Sequence, residues 1–315
     1  MKVPVLVLVG LPGSGKSTVA NLVLKEGGLY RTIISSDAIR KELFGSESIQ
    51  CNNEQVFKIY YDRFVENLVR GDGVILDATN ITIKARKHVF EAIKKAQKLA
   101  KDLSVFTTAL VINTPVERVV KQDRDRERTV GLSPIYKYLY SYQHPQKYEG
   151  FNEVRVFYDT FKYDRALNTA LKLIMANFDQ NNPHHLYPLL THCENVASNY
   201  DENNLVMYQA ATFHDVGKLF TQTTDENGIS HYKGHDSVGA YYLVSHPELL
   251  EHYTPDELNE ILFFVNFHMR AHSDFKGEKA ARKYKELFNN VRFTALMQFG
   301  EYDRIASGTY LRNNK

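Results

Sequence analysis

Two sets of side chains in this sequence are equipped for reactive chemistry, and they lie in opposite halves of the chain. The first is GLPGSGKST, Gly10 to Thr18, in which Gly10, Gly15, Lys16 and Ser17 meet the spacing of a phosphate-binding loop. Gly10, Gly13 and Gly15 let backbone N–H groups turn inward around a triphosphate, with Ser14 and Thr18 in the same turn. Lys16 reaches the outer phosphates of ATP as a point charge, and Ser17 Oγ can ligate Mg²⁺. The second set is dispersed: His192, His214, Asp215, His235, His268 and Asp303. Imidazoles mixed with carboxylates suit a divalent transition ion such as Mn²⁺, Ni²⁺, Co²⁺, Fe²⁺ or Zn²⁺. Asp215, directly after His214 at a helix end, can bridge two ions.

The elements that hold the first set follow from hydrophobic pattern. Val3 to Val9 is an apolar run without alternation, the signature of a strand buried on both faces of a parallel sheet, and a helix follows from Lys16 to about Leu24. Thr32 to Ser36 is expected as a strand that delivers Asp37 and Arg40 to its carboxyl end, where open α/β sheets bind ligands. A carboxylate there can accept the proton of an attacking hydroxyl, and an arginine one turn on can fork onto an acceptor phosphate. The competing reading is a helix cap with a solvated arginine.

Val56, Tyr60, Phe64 and Leu68 form a helical stripe closed by Gly71, and Val74 to Leu76 form a buried strand ending in Asp77-Ala78-Thr79-Asn80. Asp77 either holds the Mg²⁺ water shell or helps grip the acceptor hydroxyl, with Asn80 also on the substrate, or this corner merely caps, through Thr79 or Asn80, the helix expected over Thr82 to Ala100. A strand over Val105 to Ile112 leads to Thr114-Pro115-Val116-Glu117, a capping box with proline at the first helical position. Its helix runs into Gln122 to Arg128, where Arg124, Arg126 and Arg128 form a lid-like arginine cluster over the phosphates or else a solvated face. Glu153 to Phe157 completes a sheet of five.

Composition sets the frame. The 315 residues, 43% hydrophobic, suffice for two cores. Residues 1–165 carry 26 Lys and Arg against 19 Asp and Glu, whereas the rest carry 13 against 18 and ten of the twelve histidines. An anion-handling module therefore precedes a histidine- and carboxylate-rich one, and the expected domains are 1–163 and 164–315. Cys51 and Cys193 lack the spacing of a disulfide frame or thiolate zinc site. No apolar run approaches the ~20 residues of a membrane span, and a strand rather than a signal peptide begins the chain, so a cytoplasmic protein without a membrane partner is expected.

GLPGSGKST, SSDAIR, LDATN, the arginine-rich lid and EGFNEVRVF together resemble the polynucleotide 5′-hydroxyl kinase family of P-loop phosphotransferases, over roughly residues 1–160. The resemblance implies that Asp37 is the general base on a 5′-hydroxyl, that Arg40 binds the neighbouring nucleotide phosphate, that Lys16 and Ser17 handle ATP and Mg²⁺, and that Arg126 is the lid arginine. AATFHDVGK resembles the HD phosphohydrolase superfamily, an all-α fold, and YKGHDSVGA with NFHMRAH is similar to the HD domains attached to tRNA nucleotidyltransferases. That likeness implies metal ligation by His192, His214, Asp215 and Asp303, a second metal at His235 and His268, and Lys218 near the scissile phosphate.

His184 and His185 are candidates for phosphate contact or leaving-group protonation, or equally for a turn after Asn182-Pro183. His272, His231, His246 and His252 read as plain surface. Tyr136, Tyr138, Tyr140 and Tyr142 stack bases or pack. The combined expectation is a bifunctional nucleic-acid end-healing enzyme, RNA foremost, that phosphorylates 5′-hydroxyl ends, removes 2′,3′-cyclic or terminal phosphates, and works beside a separate ligase. The alternatives are a nucleoside or nucleotide kinase joined to a nucleotidase, and a nucleotide-sensing module.

Overall fold

A computed structural model describes residues 2–47, 49, 51–125, 129–158, 166–201, 203–273 and 277–308. The chain divides into two compact units, Met1–Tyr138 with Pro145–Asp159, and Leu139–His144 with Thr160–Lys315. Tyr163 and Asp164, where the halves were expected to meet, lie outside the described residues.

The first unit is an α/β layer. Its elements are β1 (Val3–Val9), α1 (Lys16–Lys25), β2 (Thr32–Ser35), α2 (Ser36–Phe44), α3 (Asn53–Arg70), β3 (Val74–Asp77), α4 (Ile83–Leu99), β4 (Val105–Ile112), α5 (Val116–Arg124), α6 (Leu132–Leu139) and β5 (Glu153–Phe157). The five strands are all parallel, in the order β2-β3-β1-β4-β5, with Val5 opposite Val74 on one side and Thr107 on the other. The apolar run of β1 is buried because strands and helices cover it on every side. Val56, Tyr60, Phe64 and Leu68 of α3 are fully buried, as their spacing requires.

One local expectation changes, and one buried ion pair had no sequence signal. Thr114 does not cap α5; Pro115 stands at the cap position without a side-chain bond, and Thr114 Oγ1 instead donates to Ser14 O at 2.8 Å, tying the strand end to the phosphate loop. Arg86, a charged residue in an amphipathic helix, is wholly buried. It donates bidentately to Glu149 at 2.7 and 2.8 Å and to Asn80 O at 2.9 Å.

The second unit is helical apart from a two-strand hairpin, β6 (Thr223–Thr224) and β7 (Ser230–His231). Its helices are α7 (Leu167–Ala176), α8 (Leu189–Ala197), α9 (Leu205–Phe213), α10 (Lys218–Thr221), α11 (His235–Ser245), α12 (Pro255–Ser273), α13 (Glu278–Phe288) and α14 (Asn290–Ala306). The middle of α12, Ile261 to His268, is buried all round, so this helix is the axis of the bundle. Phe263, Phe264 and Phe267 pack edge-on and stacked with Phe288 and Phe299.

The segment Leu139–His144 belongs to this unit. Tyr142 is buried, its hydroxyl donates to His144 Nδ1 at 2.7 Å, and His144 Nε2 donates to Asn259 Oδ1 at 2.8 Å. Asn266 joins backbone atoms of both residues. Of the four tyrosines expected either to stack or to pack, Tyr142 packs. Among the described residues no helix is long and apolar enough to cross a membrane.

Candidate active sites

The phosphate loop lies between β1 and α1. Gly13 and Gly15 take φ of 86° and 90°, a left-handed backbone that side chains disfavour, and Gly15 stands at the N-terminal cap of α1. A Cβ at Gly10 would lie 2.7 Å from Ser14 Oγ and 3.3 Å from Ile112 O, so a larger residue there would have to displace the Ser14 side chain. Lys16 is buried and folded onto its own loop, with Nζ donating to Leu11 O at 2.7 Å and Gly10 O at 3.1 Å. Ser14 Oγ is buried without a hydrogen-bond partner. Thr18 is exposed at the first turn of the helix.

Ser17 Oγ donates to Asp77 Oδ2 at 2.7 Å. Burial pushes the Asp77 carboxyl above its ordinary range, against the Ser17 hydrogen bond and the Lys16 charge. Ser17 and Asp77 form an oxygen pair of the kind Mg²⁺ favours, which fits the ion beside the nucleotide. Asn80 sits at φ 46°, buried, with Nδ2 donating to Leu8 O at 2.9 Å and Ala78 O at 3.3 Å, so its amide nitrogen fastens the corner.

Asp37 and Arg40 lie on the first turns of α2, whose start is capped by Ser35 Oγ accepting from Ala38 N. Arg40 Nη1 donates to Asp37 Oδ1 at 2.8 Å and Nη2 to Asn53 Oδ1 at 2.8 Å. The guanidinium is 7% exposed and the carboxylate 48%, so Arg40 is anchored while Asp37 faces out. This is no solvated arginine: it is held on two sides, by Asp37 and Asn53, at the carboxyl end of β2. Asn53 had no motif to mark it.

Arg124 is exposed at the end of α5, and Arg126 lies outside the described residues. Asp123, read as part of the charged run, is buried and accepts from Val130 N and Gly131 N at 2.8 to 3.0 Å. It therefore ties the two ends of the arginine segment together.

The second set converges from five helices. His192 (α8), His214 and Asp215 (after α9), His235 (α11), His268 (α12) and Asp303 (α14) are all buried. Asp215 Oδ2 lies 3.4 Å from both His192 Nε2 and His214 Nε2, while its Oδ1 lies 3.0 Å from His235 Nε2 and 3.5 Å from His268 Nε2. One carboxylate thus spans two histidine pairs. Asp303 Oδ1 closes the first pair, 3.0 Å from His192 and 3.6 Å from His214.

The tautomers point the same way. His214, His235 and His268 donate Nδ1–H to Ala211 O, Tyr232 O and Val265 O at 2.6 to 2.8 Å, which leaves each Nε2 lone pair facing the cluster. His214 Nε2 and both nitrogens of His192 are buried without a hydrogen-bond partner. A donor set of this kind fits a divalent transition ion, held by the His192 group on one side of Asp215 and the His235 group on the other. Burial opposes charge on His192, yet Asp215 and Asp303 raise it to about 9; burial opposes charge on the two carboxylates as well, yet Lys218 and His214 at Asp215, and His192 and His214 at Asp303, hold them well below the usual range.

Lys218 Nζ lies 2.6 Å from Asp215 Oδ2 and donates to Gln180 Oε1 at 2.8 Å and His185 Nε2 at 3.2 Å. Burial, then the Lys218 charge, push His185 down to about 3. Its Nε2 accepts from Lys218, and its Nδ1 is buried without a hydrogen-bond partner. His184 N donates to Asn182 Oδ1 in a turn, while its ring is exposed.

His272 is not plain surface: its Nε2 bonds Asp303 Oδ2 at 2.8 Å. His246 stacks on Tyr242, and His252 is exposed. The cluster opens into a cavity of about 710 Å³ lined by His184, His185, Lys218, Lys233 and His272 among others.

The parallel sheet and the glycine loop define a P-loop nucleotide-binding domain, followed by a helical region. Residues 5–145 match the model of a family described as an AAA domain. No curated protein matches the chain. Among solved structures the chain is similar to the Pnkp1/Rnl/Hen1 RNA repair complex, at 25% identity over 43% of this chain and 42% of that one, with a TM-score of 0.37. It is also similar to Chaetomium thermophilum Kti12 in complex with ADP-AlF3 (20% identity, 50% of this chain and 91% of that one, TM-score 0.39) and to a fungal RNA kinase (16%, 67% and 97%, TM-score 0.38). The chain thus spans less than half the length of the first of these.

Proposed function

We propose that the chain is a bifunctional enzyme that heals nucleic-acid ends, RNA foremost. Its first half phosphorylates a 5′-hydroxyl from ATP, and its second, an HD-type bundle, removes a 2′,3′-cyclic or terminal phosphate, leaving ends that a separate ligase can join.

In the kinase step Asp37 accepts the hydroxyl proton as the oxygen attacks the γ-phosphorus and ADP departs. Arg40, fixed by Asn53, holds the acceptor phosphate, and Lys16 leaves its loop carbonyls for the β/γ oxygens. Ser17 and Asp77 would hold Mg²⁺, which would offset phosphate charge, and Arg124, with Arg126 by its place in the sequence, would neutralise the transferring phosphoryl group. In the hydrolytic half, the His192 and His235 groups would hold a transition ion, which would supply Lewis acidity and lower the pKa of a bound water. Lys218 neutralises a phosphate oxygen, and His185 Nδ1–H hydrogen-bonds another.

The observation that carries this reading is the anchored Asp37–Arg40 pair at the carboxyl end of β2, in one chain with a phosphate loop and a six-residue histidine and aspartate cluster. The test is an RNA oligonucleotide bearing a 5′-hydroxyl and a 2′,3′-cyclic phosphate, given ATP, Mg²⁺ and Mn²⁺. Asp37→Ala should lose 5′ labelling alone and Asp215→Ala 3′ processing alone. Turnover of mononucleotides with no change at either end favours a nucleotide kinase joined to a nucleotidase.

A further inference from the structure

One wall of the 710 Å³ cavity carries positive charge that the chemistry above does not use. The wall is built by pinning the Gln180–His185 segment to the β6–β7 hairpin. Asn181 Nδ2 donates to Gly228 O at 2.6 Å, Ser230 N to Asn181 O at 2.9 Å, Asn182 Nδ2 to Ser230 O at 2.7 Å, and Tyr232 OH to Gln180 O. Lys233 leaves this wall between two fixed residues. Tyr232 O accepts from both the backbone N and the Nδ1 of His235, and Gly234, at φ 76°, packs so tightly that a Cβ would lie 2.7 Å from the Tyr140 ring. The Lys233 backbone thus lies between two residues held by these contacts.

Most other charged groups around the cavity are engaged. Lys218 is paired with Asp215, Arg304 with Glu301, His231 with Asp225 and His272 with Asp303. Asp236, on the first turn of α11, is the carboxylate nearest Lys233 in sequence. The Lys233 ammonium and the His184 imidazole, both exposed, make no hydrogen bond or ion pair within the described residues. A cation and a histidine on a rigid wall, in the same cavity as a phosphate-handling floor, are matched by a ligand with a second phosphate.

We propose that Lys233 and His184 form a second anion subsite, which takes the phosphodiester on the 5′ side of the nucleotide whose 2′ or 3′ phosphate meets the cluster. The shared chemistry is a nucleotide with phosphates on both sides of one ribose, and a strand end, not a free nucleoside bisphosphate, is the source it fits. The subsite deepens the hydrolase reading and rests on it.

Binding by the full-length protein in the presence of a chelator tests the subsite without turnover. Calorimetric titrations compare adenosine 3′-monophosphate, the dinucleotide ApAp and adenosine 3′,5′-bisphosphate. ApAp should bind about tenfold more tightly than the monophosphate, the scale of one charge-assisted hydrogen bond. Lys233→Ala should erase that difference without weakening the monophosphate, and Lys233→Arg should keep it. A bisphosphate that binds tightly while ApAp does not keeps the subsite and overturns the strand-end assignment. Equal affinities in the wild type, or equal weakening of all ligands by Lys233→Ala, overturn the subsite. If the difference is present but Mn²⁺ brings no phosphate release, the hydrolase reading falls and the subsite stands.

Discussion

His235 Nε2 lies 3.1 Å from His268 Nε2, and each ring donates its Nδ1–H to a carbonyl three residues back. With each Nδ1–H so engaged, the two Nε2 lone pairs face each other, an arrangement that repels unless a cation lies between them. Asp215 Oδ1, within 3.5 Å of both nitrogens, adds the negative charge. Replacing His268 with Ala should therefore lower the bound transition metal, measured by elemental analysis of purified protein, while 5′-kinase activity persists.

His272 acts on the cluster through Asp303. By holding Oδ2 it leaves Oδ1 facing His192 and His214. His272→Ala should weaken metal affinity about 10- to 100-fold, the usual effect of an outer-shell partner, with the fold unchanged by circular dichroism. His272→Gln, which keeps a donor, should recover part of it.

On the kinase side Asp37→Ala should lower kcat by roughly 10²- to 10⁴-fold with little change in the KM for ATP, the pattern of a lost general base. Arg40→Ala should act mainly on the KM of the oligonucleotide. A rise in the KM for ATP alone would place both residues on the nucleotide side.

Arg86 and Glu149 form a buried ion pair that also holds the Asn80 corner, where Thr79 O accepts from Gly10 N of the phosphate loop. Glu149→Gln leaves a buried guanidinium partly uncompensated and should cost about 3 to 5 kcal/mol in urea unfolding of the first unit.

The parts written locally were legible. β1 declares itself by an unbroken apolar run, α3 by its four-residue stripe, and the phosphate loop by glycines whose backbone only glycine adopts readily. Partners distant in sequence were not. Arg86 looks like a solvent-facing charge on α4 because Glu149 lies 63 residues away, and His272 looks like surface because Asp303 approaches only when α14 packs on α12. Thr114 was misread for the same reason: the cap motif is local, while the Ser14 carbonyl that claims its hydroxyl is 100 residues back. The six cluster residues carry the right types, but their division into two groups about Asp215 is visible only in three dimensions.

The most direct measurement follows both ends of one RNA oligonucleotide, 5′-hydroxyl and 2′,3′-cyclic phosphate, in the presence of ATP, Mg²⁺ and Mn²⁺. Wild-type protein should add a 5′-phosphate and open or remove the 3′ phosphate, with Asp37→Ala abolishing the first and Asp215→Ala the second. An oligonucleotide unchanged at both ends, beside rapid turnover of free nucleotides, would contradict the end-healing account.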